Sequence, residues 1–532
     1  IIAVEISTLE LQIAKMSIFL RKGDLRKQLN YCNLYPLHVS MSSKSETTKP
    51  IPLSQFGGVH GSRSGMGTGT SKMWRNKPLL RREGDKIFKT GPEAVALLNG
   101  EALRRDNGSE EFLMSWQSVI NSLSSVFERM PKYAWIMKQL LEPERSITFR
   151  VAWLDDSGIS RVNRGFRVQF SSALGPYEGG TRFASSVNTS TMKAAAFDTT
   201  FINALSLKNV GGAYGGADFS PYTKSDTEIQ RFCQSYMTEL SKYIGPDVDL
   251  PGMGEGVTAN EIGYLYGQYK RINHHCGQIG KGLLWGGTPQ YEQAQGYGVA
   301  YFAKRMLADK GMSLEGKKCI ITGSNYIALA VAEKLVELGA IPITFSDSSG
   351  HIYEPQGFDS ARLKYIQRLK QDRGARVGKY ILQSTSVKFN EPEAICSIPC
   401  DLVFACSHLA HISEKDISML AANGCQGVIE GVMQSMSSSA IVAAKKKGLM
   451  HGPFRATTIG GCLVNGMTLS NDPINFHAGE SLDSRVEAAI NEVYDEVKST
   501  ASEFNARGDL YAGANIAAFL RVANVMLSHG SV

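Results

Sequence analysis

Between Lys318 and Asp347 the chain reads strand, turn, helix, strand, and no other stretch constrains the fold as tightly. Lys318–Thr322 is a short apolar run, Tyr326–Leu338 repeats apolar residues at helical spacing, and Ile341–Phe345 is a second run ending at Ser346-Asp347. Two parallel strands need a crossover of this kind, and the order predicts the opening of a doubly wound α/β sheet of the dinucleotide-binding type. Its turn carries part of the expected fingerprint. In place of GxGxxG/A it reads Gly323-Ser324-Asn325-Tyr326-Ile327-Ala328. Gly323 and a final small residue are present, but Asn325 stands where a middle glycine would let the backbone approach a pyrophosphate.

At roughly 100–200 residues per domain, 532 residues make about three folded units or fewer. With 43% hydrophobic residues and 53 Gly and 18 Pro, wholesale disorder and collagen-like repeats are excluded. No stretch of about 20 residues is apolar and free of charge, so no membrane span is expected. Nine cysteines with no CxxC spacing argue against a disulfide framework or a zinc site and for a reducing compartment. The net charge of +7 is local. Residues 1–108 hold 17 Lys+Arg against 9 Asp+Glu, and the rest of the chain holds 40 against 41. A basic arm of this kind is an organelle-targeting sequence, a nucleic-acid arm or a solvated tail. The stretch from Met16 mixes apolar residues with Arg21, Lys22, Arg26 and Lys27 before turning Ser-rich, as transit peptides do, so the expected location is mitochondrial or cytoplasmic.

Residues 1–90 therefore read as a basic extension containing a Gly/Ser-rich linker at 54–72. Helical spacing follows over Pro92–Leu103 and Ser109–Leu141, then strand signals at Thr148–Leu154 and Val168–Phe170. A helix over Thr191–Leu205 leads into the Gly-rich segment Gly211–Gly216. Tyr297–Asp309 is a helix, Asp401–Ala405 and Gly427–Ile429 are further strands, and helices over Leu482–Phe504 and Ala514–Leu527 close the chain. The expected fold class is α/β, with a mixed-sheet domain over 91–295 completed by 482–532, a doubly wound domain over 296–481, and a cleft between them.

Particular segments carry more than a pattern. Pro143–Asp156, Val162–Arg164, Arg167–Ala173, Arg231–Gln234, Met237–Leu240 and Gly513–Phe519 resemble the hexameric glutamate dehydrogenases, from about Phe112 to the C-terminus. The resemblance implies a substrate and assembly domain, a Rossmann-type cofactor domain and a cleft that closes for hydride transfer. It implies NADP as cofactor, because Ser346-Asp347-Ser348-Ser349-Gly350 is similar to the NADP-using members. Ser346 and Asp347 join Gly323, Ser324 and Asn325 as candidate cofactor-binding residues. A homo-oligomer, a hexamer by resemblance, or a hetero-oligomer with an active homologue is expected. A nucleic-acid partner is not.

Oxidising glutamate demands cations for two carboxylates, an amine of lowered pKa to activate water, and a carboxylate to relay protons. The family meets this with three lysines and an aspartate, and all four positions differ here. PYKGGxR becomes Pro176-Tyr-Glu178-Gly-Gly-Thr-Arg182, TFKNAL becomes Thr200-Phe-Ile202-Asn-Ala-Leu205, and GGGKGG becomes Gly211-Gly-Ala-Tyr214-Gly-Gly216. PAGD becomes Pro251-Gly-Met-Gly254, beside a Glu255 expected to point elsewhere, and the late substrate serine becomes Asn465. Tyr214 and Gly254 thus stand at the family's catalytic positions, and Glu178, Thr199, Ile202 and Asn465 at its substrate positions. Motifs of the types RPEATGYG, PCATQNE and EGANMP are also altered, at Tyr291–Gly298, Ala405–His411 and Glu430–Ser435. Tyrosine, with an ordinary pKa near ~10, is a poor base at neutral pH. Altered specificity explains the loss of one lysine but not of the catalytic lysine and relay aspartate together, so the sequence predicts a catalytically degenerate member retained for structure, regulation or ligand binding. An active NADP-dependent glutamate dehydrogenase is the alternative. No metal is expected. His274-His275 beside Cys276 has no further ligand spacing, and His408 and His411 would need one helix face to meet.

Overall fold

The computed structural model describes residues 88–273, 291–408, 411–469 and 481–530, all within one unit, Pro52–Val532. The basic extension up to residue 87, its linker and transit-like stretch, and His274, His275 and Cys276 lie outside the described residues.

Helix α1 (Gly91–Arg105) starts on Thr90, whose hydroxyl caps Glu93, and has Pro at the first turn. The continuous helical spacing expected over Ser109–Leu141 breaks into α2 (Glu110–Ile120), α3 (Ser124–Arg129) and α4 (Tyr133–Gln139). The second break falls at Pro131, which has no N–H to continue the ladder. Phe112, Trp116 and Phe127 stay on the buried side throughout.

Strands β1 (Arg145–Leu154), β2 (Ser160–Ser171), β3 (Tyr177–Phe183), β4 (Gly212–Ala217) and β5 (Asp249–Gly252) form a mixed sheet of order β1-β2-β4-β3-β5. Its surprise is β4. Glycine is depleted in strands, yet Gly212–Ala217 in the Gly-rich segment pairs on both sides and is buried throughout. The cause is the helix above it. Helix α5 (Thr189–Leu205) lies so close that a Cβ on Gly212 would sit 2.1 Å from Thr200 Oγ1 and 2.4 Å from Thr200 Cα. Only glycine permits that approach. Helices α6 (Asp226–Leu240) and α7 (Ala259–Asn273) complete this lobe, with Phe183, Phe219 and Phe232 packed between α6 and the sheet.

Helix α8 (Tyr291–Ala308) begins the second lobe, where β6 (Lys318–Thr322), helix α9 (Tyr326–Glu337) and β7 (Ile341–Pro342) open the parallel sheet. The expected strand from Ile341 to Phe345 is split. Ile343 still donates to Cys319 O, but the Thr344 hydroxyl then takes both Ile321 N and Ile321 O, replacing the backbone as partner. Released from that ladder, β8 (Thr344–Asp347) pairs antiparallel with β9 (Gly350–Tyr353) in a separate small sheet, completed by β10 (Lys388–Asn390). Helix α10 (Ser360–Gln371) precedes β10. Strands β11 (Leu402–Ala405), β12 (Gly427–Glu430) and β13 (Met450–Gly452), with helices α11 (Glu414–Ala422) and α12 (Ser438–Lys446), extend the main sheet to the order β13-β12-β11-β6-β7.

Short helices α13 (Phe454–Thr457) and α14 (Gly460–Leu469) lead to α15 (Leu482–Glu503) and α16 (Leu510–Ser528). Helix α16 is long and apolar enough to cross a membrane, but it is mostly buried, with Phe519 edge-on to Phe127 and Tyr133. It is a core helix packed on the first lobe.

Candidate functional site

Strand β3 builds one wall of the cleft. Its residues alternate faces, which sets Glu178, Gly180 and Arg182 on one side. Gly180 is the floor under Tyr214, whose ring carbons would lie 2.9 Å from a Cβ there. Arg182 stands 5.9 Å from the Tyr214 ring centroid and pairs with Glu255 at 3.2 Å. The relay position is next to them. A Cβ built on Gly254 lies 3.1 Å from the Tyr214 hydroxyl oxygen and only 2.4 Å from Thr181 O. Tyr214 and Gly254 are therefore complementary: the phenol fills the space a side chain at 254 would enter, and the backbone at 254 has closed onto β3.

Burial pushes the Tyr214 phenol above its ordinary value, with Arg182 pulling the other way. It stays protonated at neutral pH and can donate a hydrogen bond, but it cannot serve as a resident base. Glu255, expected to point away, is bonded to Arg182 on the Tyr214 side of the cleft.

Glu178 is buried and bound from two directions. Asn203 donates Nδ2 to its Oε2 at 3.1 Å, and Asn465 donates Nδ2 to its Oε1. Asn203 also holds Glu178 O at 3.2 Å and Gly211 O at 2.6 Å, tying β3 to the entry of β4. Burial raises the Glu178 carboxyl above its ordinary value, against the pull of Asn465, Cys462, Arg167 and Asn203. The other two substrate positions are not free to meet a ligand: Thr199 gives its hydroxyl to Ala195 O at 2.7 Å, and Ile202 is buried in the apolar core.

His408 ends the β11 side of the cleft, opposite Arg182. Burial, with Arg182 and His411 adding repulsion, pushes it down to about 3, so it is neutral. No helix carries His408 and His411 together, because His408 lies in the bend after β11, and no metal-ligand cluster occurs among the described residues. The lobes also meet through Asp198, which accepts from Arg455 and from Gln434 Nε2 at 2.9 Å. At the rim, Arg373 pairs with Glu261 and with Asp226 at 3.3 Å.

The cofactor positions divide into two ends. At the turn, Gly323 has φ +88°, and a Cβ there would lie 2.8 Å from Cys406 O, so glycine is required. Asn325 caps α9 with its own carbonyl on Ala328 N at 2.9 Å, and its amide bonds Cys406 O at 2.9 Å. A dinucleotide pyrophosphate needs that helix start and that approach, and the Asn325 side chain occupies both; Ser324 beside it is buried. At the sugar end, Ser346 Oγ accepts Gly323 N at 2.7 Å. Asp347 accepts Ser349 N at 2.9 Å and Val377 N at 2.8 Å, which hold its carboxyl below the usual value despite burial, and Lys370 adds to the effect. The residues at the turn do not fit a dinucleotide pyrophosphate, and at the sugar end Ser346 and Asp347 are bonded within the chain.

Asn203, Arg182, Arg373 and Glu261 were missed from sequence. Two had a signal: Arg182 shares the strand face of Glu178, and Asn203 lies one helical turn after Thr199. Arg373 and Glu261, 112 residues apart, had none.

Comparison with known proteins accounts for most of the chain. Residues 286–530 match the family model described as Glutamate/Leucine/Phenylalanine/Valine dehydrogenase, and residues 143–271 match its dimerisation domain. An NADP-specific glutamate dehydrogenase of Chlorella sorokiniana is 42% identical over 447 residues, covering 83% of this chain and 85% of its own length. That of Giardia intestinalis is 40% identical, covering 84% and 99%. The solved structure of Plasmodium falciparum glutamate dehydrogenase 2 superposes with a TM-score of 0.76 at 37% identity, covering 85% of this chain and all of that one.

Proposed function

Because the chain belongs to the Glu/Leu/Phe/Val dehydrogenase family, we propose that it is a glutamate dehydrogenase homologue that no longer performs the amine chemistry and serves a structural, regulatory or ligand-binding role. The observation that carries this is the fit of Tyr214 against Gly254. Hydride transfer from glutamate requires a base that is free at neutral pH and a carboxylate to relay its proton. Here the base position holds a buried phenol of raised pKa, and the relay position has no side chain and no room for one. Each group of that kind is worth orders of magnitude in rate, about tenfold for every 1.4 kcal/mol of transition-state stabilisation.

A second reading is favoured by the relatives, which are named NADP-specific glutamate dehydrogenases and align over more than four fifths of the chain. In it the chain is an active NADP-dependent enzyme interconverting L-glutamate with 2-oxoglutarate and ammonia. The altered pyrophosphate end of the cofactor site speaks against it.

In this proposal residues 91–295 with 482–532 form the substrate and assembly domain and residues 296–481 the cofactor-type domain. The match of 143–271 to a dimerisation domain supports self-association, either alone or with an active homologue. The compartment is mitochondrial or cytoplasmic, which a fluorescent fusion of the full chain decides.

The deciding experiment supplies the purified chain with 2-oxoglutarate, ammonium and NADPH and follows NADPH absorbance, with a thermal-shift series for each ligand on the same sample. No turnover above the protein-free rate is expected. Sustained turnover that disappears on Tyr214→Phe or Glu255→Gln overturns the proposal. A ligand that binds the native state raises stability by about 2.7 kcal/mol at 100 Kd, so binding is visible without turnover.

A further inference from the structure

Glu178 and Asn465 lie 287 residues apart and are bonded to each other. Both occupy positions that the family resemblance assigns to substrate, one as a cation for a carboxylate and the other as a hydroxyl. Here no third molecule is needed to join them. The side chain on β3 is itself a γ-carboxylate, and it receives amide donors from α5 (Asn203) and α14 (Asn465), with the Cys462 thiol as a further partner.

On the domain division proposed above, the bond joins the two lobes. Strand β3 belongs to the mixed sheet, whereas α14 packs on α8, the first helix of the other lobe; the closeness shows at Gly460, where a Cβ would lie 2.0 Å from Ala294 O. A ligand closes a two-lobed cleft by making contacts to both lobes that exist only in the closed state. Glu178 makes that kind of contact as part of the chain, at the high effective concentration of an intramolecular group. Asp198 with Gln434 and Arg455, and Arg373 with Glu261 and Asp226, tie the lobes elsewhere. An incoming dicarboxylate would find its subsite filled and would place an anion against an anion.

We infer that Glu178 is a built-in carboxylate ligand that holds the cleft closed in the absence of any small molecule and excludes dicarboxylates from it. The inference rests on the reading that this cleft no longer takes glutamate, and its test separates the two. Hydrogen exchange of the ligand-free full chain is followed by mass spectrometry in wild type, Asn465→Ala and Glu178→Ala, and each is titrated calorimetrically with 2-oxoglutarate. Exchange in Tyr177–Phe183 and Gly460–Leu469 is expected to rise about tenfold in both variants, the scale of one hydrogen bond to a charged group. Wild type should give no binding heat at millimolar 2-oxoglutarate, while Glu178→Ala, with two amide donors facing the vacated space, gains it. Should Glu178→Ala fail to fold, Asn465→Ala still cuts the bond and leaves Glu178 in place. Unchanged exchange in the folded variants overturns the tie, whatever the activity assay gives. Binding of 2-oxoglutarate by wild type overturns the exclusion, and turnover overturns the proposed loss of catalysis.

Discussion

Asp249 and Glu178 are buried carboxylates on paired strands, one residue apart in register, and they are held in opposite ways. Asp249 faces a guanidinium: Arg167 gives Nε to Oδ2 at 2.9 Å and Nη2 to Oδ1, and Gln169 adds Nε2 at 2.9 Å. The same Arg167 reaches Gly179 O and Gly180 O, so it also fixes the backbone beneath Tyr214. Glu178 is hydrogen-bonded by two amides and a thiol, and Arg167 acts on it only through space. A charge with a fixed countercharge belongs to the scaffold and asks nothing of a ligand. A carboxylate hydrogen-bonded by neutral donors retains an electrostatic cost. The difference separates a pair that maintains the fold from a group whose burial is only partly compensated.

The comparison breaks most visibly at Arg167. Arg167→Leu should leave Asp249 buried and unpaired, and breaking such a pair from one side costs about 3–5 kcal/mol, a large share of the roughly 5–15 kcal/mol that a protein has. Urea unfolding is expected to show this loss or outright failure to fold. A loss below about 1 kcal/mol would put Asp249 in the same class as an exposed pair and remove the contrast.

Gly254→Ala comes next. Its Cβ meets Thr181 O at 2.4 Å, and the backbone must shift to admit it, at a cost of about 1–3 kcal/mol. Adding Tyr214→Phe should not relieve this, because the nearer clash is with main chain and not with the phenol. The double variant measured by thermal unfolding sharpens the argument. If Gly254→Ala is neutral, position 254 has kept room for a side chain, and the proposed loss of the relay loses its structural support.

How far these features could be read from sequence depended on how locally each was caused. The run from β6 to β7 was legible because apolar stretches, a Gly turn and helical spacing lie within about one βαβ unit. The strand at Gly212–Ala217 was not, because its glycines answer to Thr200 on the helix above it. The split of the second strand was hidden for a similar reason: a single threonine hydroxyl displaced a backbone partner. Tyr214, Gly254, Glu178 and Asn465 could each be singled out from the motifs they sit in. That the first two fill one space and the last two share one bond is tertiary information, carried by no window of the chain.

The smallest effect is a pH dependence, and it reads the burial of Glu178 directly. Burial raises the Glu178 carboxyl in the folded chain, so over the window from the unfolded value, near ~4.3, up to the raised one, the folded state holds more protons than the unfolded state. Stability therefore falls as pH rises through that window and is regained as pH drops below it. Glu178→Gln removes the titration while keeping the shape, and the Asn203 and Asn465 amides can turn to meet its new donor. A tenfold difference in acidity between the folded and unfolded carboxyl is worth about 1.4 kcal/mol, which denaturant titrations at pH 4, 5.5 and 7 resolve. The variant should gain on wild type as pH rises and lose that advantage by about pH 4. A difference that does not change with pH would mean that Glu178 titrates as it does in the unfolded chain, and that its burial carries no electrostatic cost.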